Sequence, residues 1–275
     1  MKLFIDTGIL EEIKEINSYG ILDGVTLNPS LIKKAVDNLK GKGKRVNMES
    51  YIKEILKTVS GRPVSLEVIG TSYEEMVKEG KKIFDKFNPI ADNVYIKIPV
   101  NPSFEKKGGN SFDGIRAIKK LSSEGIHINC TLVFTPEQAL LASKAGAAFV
   151  SPFAGRVDDY IRQMSDIEFS KGDYFPEYGL KKGSQTLDDN GILSGIDLVG
   201  QITEIFRYYG LETEVLAASI RNPRQVREAA LAGADIATVP YKVIKSLLYH
   251  HKTVEGIKNF TDDVVEEYEN LLRSN

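Results

Sequence analysis

A lysine stands in the middle of the stretch VYIKIPV (94–100), which otherwise has the composition of a buried β-strand. Alternation along a strand places Tyr95, Lys97 and Pro99 on one face and the aliphatic residues on the other. Burial disfavours the charged form of lysine, and a neutral amine can form a Schiff base with a carbonyl substrate. Lys97 is therefore a candidate nucleophile, although a structural ion pair or an exposed lysine is the simpler interpretation of this residue alone.

Polar residues occur near the C-terminal end of nearly every other predicted strand as well. They are Asp6, Thr26 with Asn28, Glu67, Asn129 with Thr131, Ser151 with Arg156, and Ser219 with Arg221. Any one of them could be an exposed or capping residue. Together they would be costly to bury unless they satisfy one another or a ligand, so we interpret them as one candidate site.

Two segments, SPFAGR (151–156) and AASIRNPRQ (217–225), place an arginine shortly after a strand. The planar guanidinium of arginine suits a phosphate group, and Asn222-Pro223 is a typical helix start, whose N-terminus favours anions. Two surface arginines would be the ordinary alternative. We expect Arg156, Ser219 and Arg221 to form an anion site.

The three histidines do not suggest a metal site. His250 and His251 are adjacent on a predicted helix, where they point apart, and His127 begins a strand. The sequence contains no H-E-x-x-H motif, no Cys/His cluster and no Walker loop. We therefore expect no bound metal.

The elements that must position these residues alternate between short apolar strands and amphipathic helices. Eight strands are predicted, at 2–6, 24–28, 63–69, 93–100, 127–134, 147–153, 214–219 and 235–240. Eight strand-then-helix units in 275 residues predict a single-domain α/β fold, a (β/α)8 TIM barrel over residues 1–275. An open doubly wound sheet is the alternative, but no G-x-G-x-x-G motif follows the first strand.

Two longer segments interrupt the alternation of strands and helices, and one further helix follows the last unit. We predict insertions on the rim of the barrel near 101–112 and near 165–192, and a C-terminal helix near 261–273. That helix could contact another subunit or pack on its own barrel.

Composition limits the classes of partner. The net charge of -2 gives no bulk attraction to nucleic acid or to an anionic membrane, and no apolar run is long enough to span a bilayer. The single cysteine, Cys130, cannot form an internal disulfide, and the N-terminal segment reaches Asp6 before any signal-peptide core develops. We expect a cytoplasmic protein.

The motifs reached so far resemble those of the transaldolase family, across essentially the whole chain. They are FIDTG (4–8), GVTLNPSLI (24–32), VYIKIPV (94–100), INCTLVF (128–134), SPFAGR (151–156) and VLAASIRNPRQ (215–225), in family order. The resemblance implies a Schiff-base lysine on the fourth strand, here Lys97, and neither a metal nor an organic cofactor.

The resemblance also implies roles for the remaining candidates. Asp6 would be the general acid/base for the C4 hydroxyl, and Glu67 and Thr131 would hold a proton-shuttling water. Further roles would be binding of substrate hydroxyls by Asn28 and Asn129, lining of the same pocket by Thr26, Ser151 and Phe153, and phosphate binding by Arg156, Ser219 and Arg221.

The implied reaction is transfer of a dihydroxyacetone unit from a ketose phosphate (sedoheptulose 7-phosphate or fructose 6-phosphate) to an aldose phosphate (glyceraldehyde 3-phosphate or erythrose 4-phosphate), in the non-oxidative pentose phosphate pathway. A sister group of fructose 6-phosphate aldolases instead releases free dihydroxyacetone and has Gln and Tyr where this chain has Glu67 and Phe153. We therefore favour transaldolase over aldolase, and both over a barrel that binds a sugar phosphate without turnover. The resemblance also suggests a homo-oligomer.

Overall fold

A computed structural model describes residues 1–43, 45–101 and 110–273 and contains a closed barrel of eight parallel strands. The barrel strands are β1 (Lys2–Asp6), β2 (Gly24–Thr26), β3 (Val64–Glu67), β4 (Val94–Pro99), β5 (Ile128–Val133), β6 (Phe149–Pro152), β9 (Glu214–Ala217) and β10 (Ile236–Val239). Strand β1 pairs with both β2 and β10, which closes the sheet. The prediction of a (β/α)8 barrel is confirmed, and the closure excludes the open sheet.

Helices connect the strands and surround the barrel. They are α1 (Leu10–Ser18), α2 (Pro29–Gly41), α3 (Met48–Thr58), α4 (Tyr73–Phe87), α5 (Asp113–Ser122), α6 (Pro136–Lys144), α7 (Ala154–Met164), α8 (Gly195–Tyr209), α9 (Pro223–Leu231), α10 (Tyr241–Ser246), α11 (His251–Asp262) and α12 (Glu266–Arg273). A single 3-10 turn, Asn88–Ile90, follows α4.

Local sequence signals set where these helices begin and end. Thr135 and Asn222 cap α6 and α9, each accepting a backbone N–H three residues later, as the Thr-Pro and Asn-Pro pairs predict. Glycines that follow helix ends adopt left-handed backbone conformations, as at Gly20, Gly61, Gly125, Gly146 and Gly233.

The two faces of β4 have different surroundings. Val94, Ile96 and Ile98 belong to the large apolar core between the barrel and its helices. Tyr95 instead packs inside the barrel, in the cluster formed by Phe4, Phe149 and neighbouring strand residues. Since residues two apart share a face, Lys97 lies on the interior face, one pleat closer to the C-terminal mouth.

The barrel interior is apolar at its N-terminal end. There the rings of Phe4, Tyr95 and Phe149 form an aromatic layer, with Tyr95 stacked on Phe149 at 4.6 Å between centroids and Phe4 edge-on to Phe149 at 6.0 Å. Leu216 and Ile236 complete the packing. The polar residues near the C-terminal strand ends therefore rest on a well-packed apolar layer.

The predicted insertion near 165–192 lies between α7 and α8 and contains a short antiparallel hairpin, β7 (Lys181–Lys182) and β8 (Gln185–Thr186). Its first part is anchored by Arg162 Nη2, which donates to the carbonyls of Asp173 and Tyr174. The Phe175 side chain is fully buried in the core. The other predicted insertion, near 101–112, lies for the most part outside the described residues.

The C-terminal segment forms two helices where the sequence predicts one near 261–273. Helix α11 ends at Asp262 and α12 begins at Glu266, so the predicted range covers the end of one and all of the other. Within the described ranges of the chain, no helix combines the length and the apolar character that crossing a bilayer requires.

Gly195 is a position where the fold requires glycine. Helix α8 begins against α7 so closely that a Cβ atom on residue 195 would lie 2.0 Å from the Ala154 carbonyl oxygen. We expect Gly195→Ala to lower the free energy of unfolding by about 1–3 kcal/mol or more, because two backbones must separate. Urea denaturation measures the change.

Gly200 on the same helix is the matched control. A Cβ atom there would meet only Ala232 Cβ, at 3.9 Å. Gly200→Ala should be neutral or stabilising by up to about 1 kcal/mol, since alanine favours helix. Equal losses in both variants would contradict the close-packing argument.

Candidate active site

Lys97 lies at the centre of a polar cluster in the C-terminal half of the barrel. The strand register aligns it with Glu67 on β3 and Asn129 on β5. Its side chain is buried, with the residue only 4% exposed, and Nζ lies 3.2 Å from Glu67 Oε2. Nζ also lies 5.9 Å from the centre of the Phe153 ring. The amine is therefore held between a carboxylate and an aromatic face.

Asp6, at the end of β1, faces the same interior. Its Oδ1 accepts a hydrogen bond of 2.7 Å from the Thr26 hydroxyl, which also lies 2.6 Å from the Thr238 hydroxyl. Burial raises the pKa of Asp6, although the Thr26 hydrogen bond and the charge of Lys97 oppose the shift. A carboxyl group that can hold a proton beside a buried amine suits general acid/base chemistry.

A second network joins three strands of the barrel. Asn129 Nδ2 donates to the Ser65 hydroxyl at 3.0 Å, and Asn129 Oδ1 accepts from the Ser151 hydroxyl at 2.7 Å. Thr131 is fully buried, and its hydroxyl has no hydrogen-bond partner among the described residues. An orphaned buried hydroxyl is costly, so Thr131 is suited to bind a water or substrate oxygen.

Thr131 and Leu132 form a β-bulge in β5. Pairing between β5 and β6 shifts between Cys130 and Val133, so that two residues of β5 face one of β6. Leu132 within the bulge has a φ of 57°, a left-handed conformation that is rare for leucine. Such strain persists only where the surroundings impose it, and it occurs here directly beside the orphaned hydroxyl.

Asn28, which is predicted to bind a substrate hydroxyl, also caps a helix. Strand β2 ends at Thr26, and Asn28 is the N-cap of α2, where its Oδ1 accepts the backbone N–H of Leu31 at 3.0 Å. Its Nδ2 group is the part of the amide that could donate to a substrate hydroxyl.

Phe153 links the lysine to the predicted anion-binding residues. Its ring faces Lys97 Nζ, and the Arg156 guanidinium carbon lies 4.9 Å from the same ring centre. Arg156 is exposed at the start of α7. Ser219, with a φ of 60°, turns the chain between β9 and α9 toward this helix. The structure thus brings these residues to the same mouth of the barrel.

Arg221 is already engaged by a carboxylate. Its Nη1 and Nη2 donate to the two carboxylate oxygens of Asp159 at 2.7 and 2.5 Å, and Nη1 also donates to the Lys171 carbonyl at 3.1 Å. Both members of the ion pair are largely buried. An anion at Arg221 would have to use the remaining donors of its guanidinium.

Sequence reasoning missed several polar residues that support the candidate site. They are Ser65 and Thr238 inside the barrel, and Asp158, Asp159 and Gln225 around Arg221. Ser65 lies two residues before Glu67, so strict alternation along the strand indicates its interior position. The helix positions carried no comparable signal, since acidic residues near a helix start are common.

Asp158 is a buried carboxylate outside the lysine cluster. Its two oxygens accept from the Gly195 backbone N–H at 2.7 Å and from Gln225 Nε2 at 2.8 Å. Burial raises the pKa of Asp158 to about 7, against the opposing effects of the Gly195 hydrogen bond and of Arg162 and Arg221.

Within 1–43, 45–101 and 110–273, no three His, Cys, Asp or Glu side chains converge in a way that could hold a metal ion.

Comparison with known proteins gives the class to which this barrel belongs. The family model described as "Transaldolase/Fructose-6-phosphate aldolase" matches residues 3–274. A protein designated "Probable transaldolase" from Thermoplasma acidophilum is 43% identical over 263 residues, which are 96% of this chain and 95% of that protein. A protein of the same designation from Bdellovibrio bacteriovorus is 44% identical over 96% of this chain and 97% of its own length. Another, from Petrotoga mobilis, is 40% identical over 100% of this chain and 99% of its own length.

The chain belongs to the transaldolase/fructose-6-phosphate aldolase family. This confirms the resemblance drawn from the motifs and the prediction that the protein is an enzyme.

The pKa of Asp158 predicts a dependence of stability on pH. The folded protein holds this proton up to pH about 7, whereas an unfolded chain releases an aspartate proton near pH ~4. The folded state therefore binds more protons between these values, and the contribution of Asp158 to stability falls as pH rises, by at most about 1.4 kcal/mol per pH unit.

We expect Asp158→Asn to remove this part of the slope. The measurement is the free energy of unfolding of wild type and variant from pH 4 to 9, with the difference plotted against pH. Wild type should lose stability relative to the variant between pH 4 and 7 and stay parallel to it above pH 8. A difference that does not change with pH would contradict the assignment.

Proposed function

We propose that this enzyme is a transaldolase that transfers a dihydroxyacetone unit between sugar phosphates through a Schiff base on Lys97. The observation that carries the proposal is the position of the Lys97 amine, buried in the barrel interior, 3.2 Å from Glu67 Oε2. A binding protein has no need of a buried amine beside a carboxylate, an acid with a raised pKa and an orphaned hydroxyl.

In the proposed reaction, neutral Lys97 attacks the ketone carbon of a ketose phosphate, and loss of water gives a protonated imine. Glu67, and Thr131 through its free hydroxyl, would hold the water that carries protons in this step. Asn129 and Ser151 would bind substrate hydroxyls, and Thr26 would orient Asp6 through the 2.7 Å hydrogen bond.

Carbon–carbon cleavage follows from the imine. Asp6 would take the proton of the C4 hydroxyl, the C3–C4 bond would break toward the iminium, and an aldose phosphate would leave. The remaining enamine would attack the aldehyde of an acceptor, with Asp6 returning the proton. Hydrolysis of the new imine would restore Lys97.

The phosphate of each substrate would lie at the anion-binding residues. Arg156 and Arg221 would supply charge and Ser219 a hydroxyl, with Phe153 between this group and the lysine. The proposal extends to sedoheptulose 7-phosphate or fructose 6-phosphate as donors, and to the non-oxidative pentose phosphate pathway in the cytoplasm.

A fructose 6-phosphate aldolase is the second candidate, since the family includes both activities. The two positions at which the chain has Glu67 and Phe153 both contact Lys97, through the 3.2 Å ion pair and the ring 5.9 Å away. A carboxylate beside a phenyl ring arranges active-site water differently from an amide beside a phenol. These two side chains favour transfer over release.

The decisive measurement is release of glyceraldehyde 3-phosphate from fructose 6-phosphate, with and without erythrose 4-phosphate. Sustained release that requires the acceptor is expected. Sustained release without it, together with free dihydroxyacetone, would make the enzyme an aldolase.

Lys97→Met, which replaces the amine by an apolar chain of similar length, should lower either activity by about 10³-fold or more. An active Lys97→Met enzyme would exclude the Schiff base.

We also propose that the enzyme is a homo-oligomer assembled through its C-terminal helices. Val254, Ile257 and Phe260 form an apolar stripe at helical spacing on α11, and each is at least 60% exposed. The stripe continues toward the exposed Val264. Apolar surface of this extent is typical of an interface, and a second copy of the chain is the partner that the family resemblance suggests.

Charge placed on this stripe should prevent assembly. Ile257→Glu combined with Phe260→Glu should lower the molar mass in solution to about that of one chain, because burying two carboxylates in an interface is costly. Asn259→Glu is the control, as an exposed polar position on the same helix, and should keep the wild-type mass. Sedimentation or light scattering measures the mass. A wild-type protein that is itself monomeric would contradict the proposal.

A further inference from the structure

The donors of the Arg221 guanidinium are unevenly used. Within residues 1–43, 45–101 and 110–273, three of its five N–H groups have partners, which are Asp159 and the Lys171 carbonyl. Those three are one N–H of Nη2 and both of Nη1. The two that remain, on Nε and Nη2, lie parallel along one edge of the planar group. Such an edge matches two oxygens of a phosphate in a bidentate contact.

The path of the Arg221 side chain fixes where this edge lies. A Cβ atom on residue 155 would come within 2.6 Å of Arg221 Nε and 2.3 Å of the Ser219 carbonyl oxygen. The arginine therefore crosses the first turn of α7 directly over Gly155. The edge formed by Nε and Nη2 therefore lies beside Gly155, next to Arg156 in the sequence.

Helix α7 also positions the backbone of Arg221, through Gln225 of α9. The N–H of Arg221 donates to Gln225 Oε1 at 2.8 Å, and Gln225 Nε2 donates to Asp158 Oδ2 at 2.8 Å. Asp158 fixes the backbone through Gln225, and the adjacent Asp159 fixes the guanidinium directly. Two consecutive carboxylates of α7 thus position both ends of one arginine.

We propose that Asp159 is a positioning residue for the substrate phosphate. It orients Arg221 so that the Nε and Nη2 edge faces the phosphate group, and the Lys171 carbonyl supports the same orientation. This inference rests on the proposed function, because the phosphate is that of a sugar phosphate. It also gives the insertion near 165–192 a role, since Lys171 belongs to that segment.

Removing Asp159 has two opposite effects on phosphate affinity. Loss of a nearby negative charge would favour the anion, whereas loss of orientation would let the guanidinium turn away and give up two donors at once. Solvent ions screen the first effect at physiological salt, and Arg156 already supplies positive charge at this mouth. We expect the loss of orientation to prevail.

The test is calorimetric titration of the full-length protein with inorganic phosphate. Asp159→Asn removes the charge, and Asp159→Glu keeps the charge but moves it by one methylene. Both should weaken phosphate binding, by about tenfold for Asp159→Asn. Unchanged or tighter binding by Asp159→Asn would overturn the inference. Failure of the wild-type protein to bind phosphate would overturn the proposed phosphate site as well, which separates the two proposals.

Kinetics distinguish positioning from a general structural role. The KM of Asp159→Asn for fructose 6-phosphate should rise by a similar factor, with a smaller change in kcat. Borohydride trapping of the imine formed with dihydroxyacetone, which carries no phosphate, should change less than phosphate affinity does. Equal losses in both would mean that the substitution disturbs the whole site and would overturn the inference. Glu168→Gln, which removes a negative charge from an exposed position in the segment after α7, is the matched charge control.

Discussion

An amine can be buried in a barrel only where other groups replace the hydration that it loses. Lys97 has that replacement in the Glu67 carboxylate at 3.2 Å and the Phe153 ring, whose centre is 5.9 Å away. Glu67 and Lys97 come from β3 and β4, and Phe153 directly follows β6, so the arrangement exists only when the strands pair in the observed register. A shift by one residue would turn Lys97 toward the helices and an isoleucine into the interior.

The remaining polar groups depend on the same closure. Asp6, Thr26 and Thr238 come from three adjacent strands around the seam where β1 meets β10 and β2. On the opposite side, Ser65, Asn129 and Ser151 form their own chain of hydrogen bonds. Each network holds its members in place before a substrate arrives, whereas the buried Thr131 hydroxyl has no hydrogen-bond partner in the described part of the chain. Preorganisation of this kind is what catalysis by positioned polar groups requires.

The sequence was sufficient for the fold and for the lysine but not for the surroundings of the arginine. Eight strand patterns identify the barrel, and alternation along VYIKIPV separates Lys97 from the aliphatic face, because both depend on local periodicity. The prediction that Lys97 is the nucleophile came from the family resemblance. The pairing of Arg221 with Asp159 joins residues 62 apart, and no local pattern encodes it. The N-cap role of Asn28 was missed for another reason, since the same Asn-Pro signal that revealed Asn222 as a cap was interpreted there as the end of a strand.

The aromatic layer of Phe4, Tyr95 and Phe149 has a consequence for the order of events in the proposed reaction. Among the described residues it fills the N-terminal end of the barrel, so that molecules would reach the amine from the C-terminal mouth. The aldehyde released from the donor and the acceptor aldehyde would therefore pass through the same mouth of the barrel. In the proposed reaction, the first aldehyde would leave before the second enters, and the three-carbon fragment would stay bound to Lys97 during the exchange. The packed interior would thus make the two aldehydes bind one after the other and never at the same time.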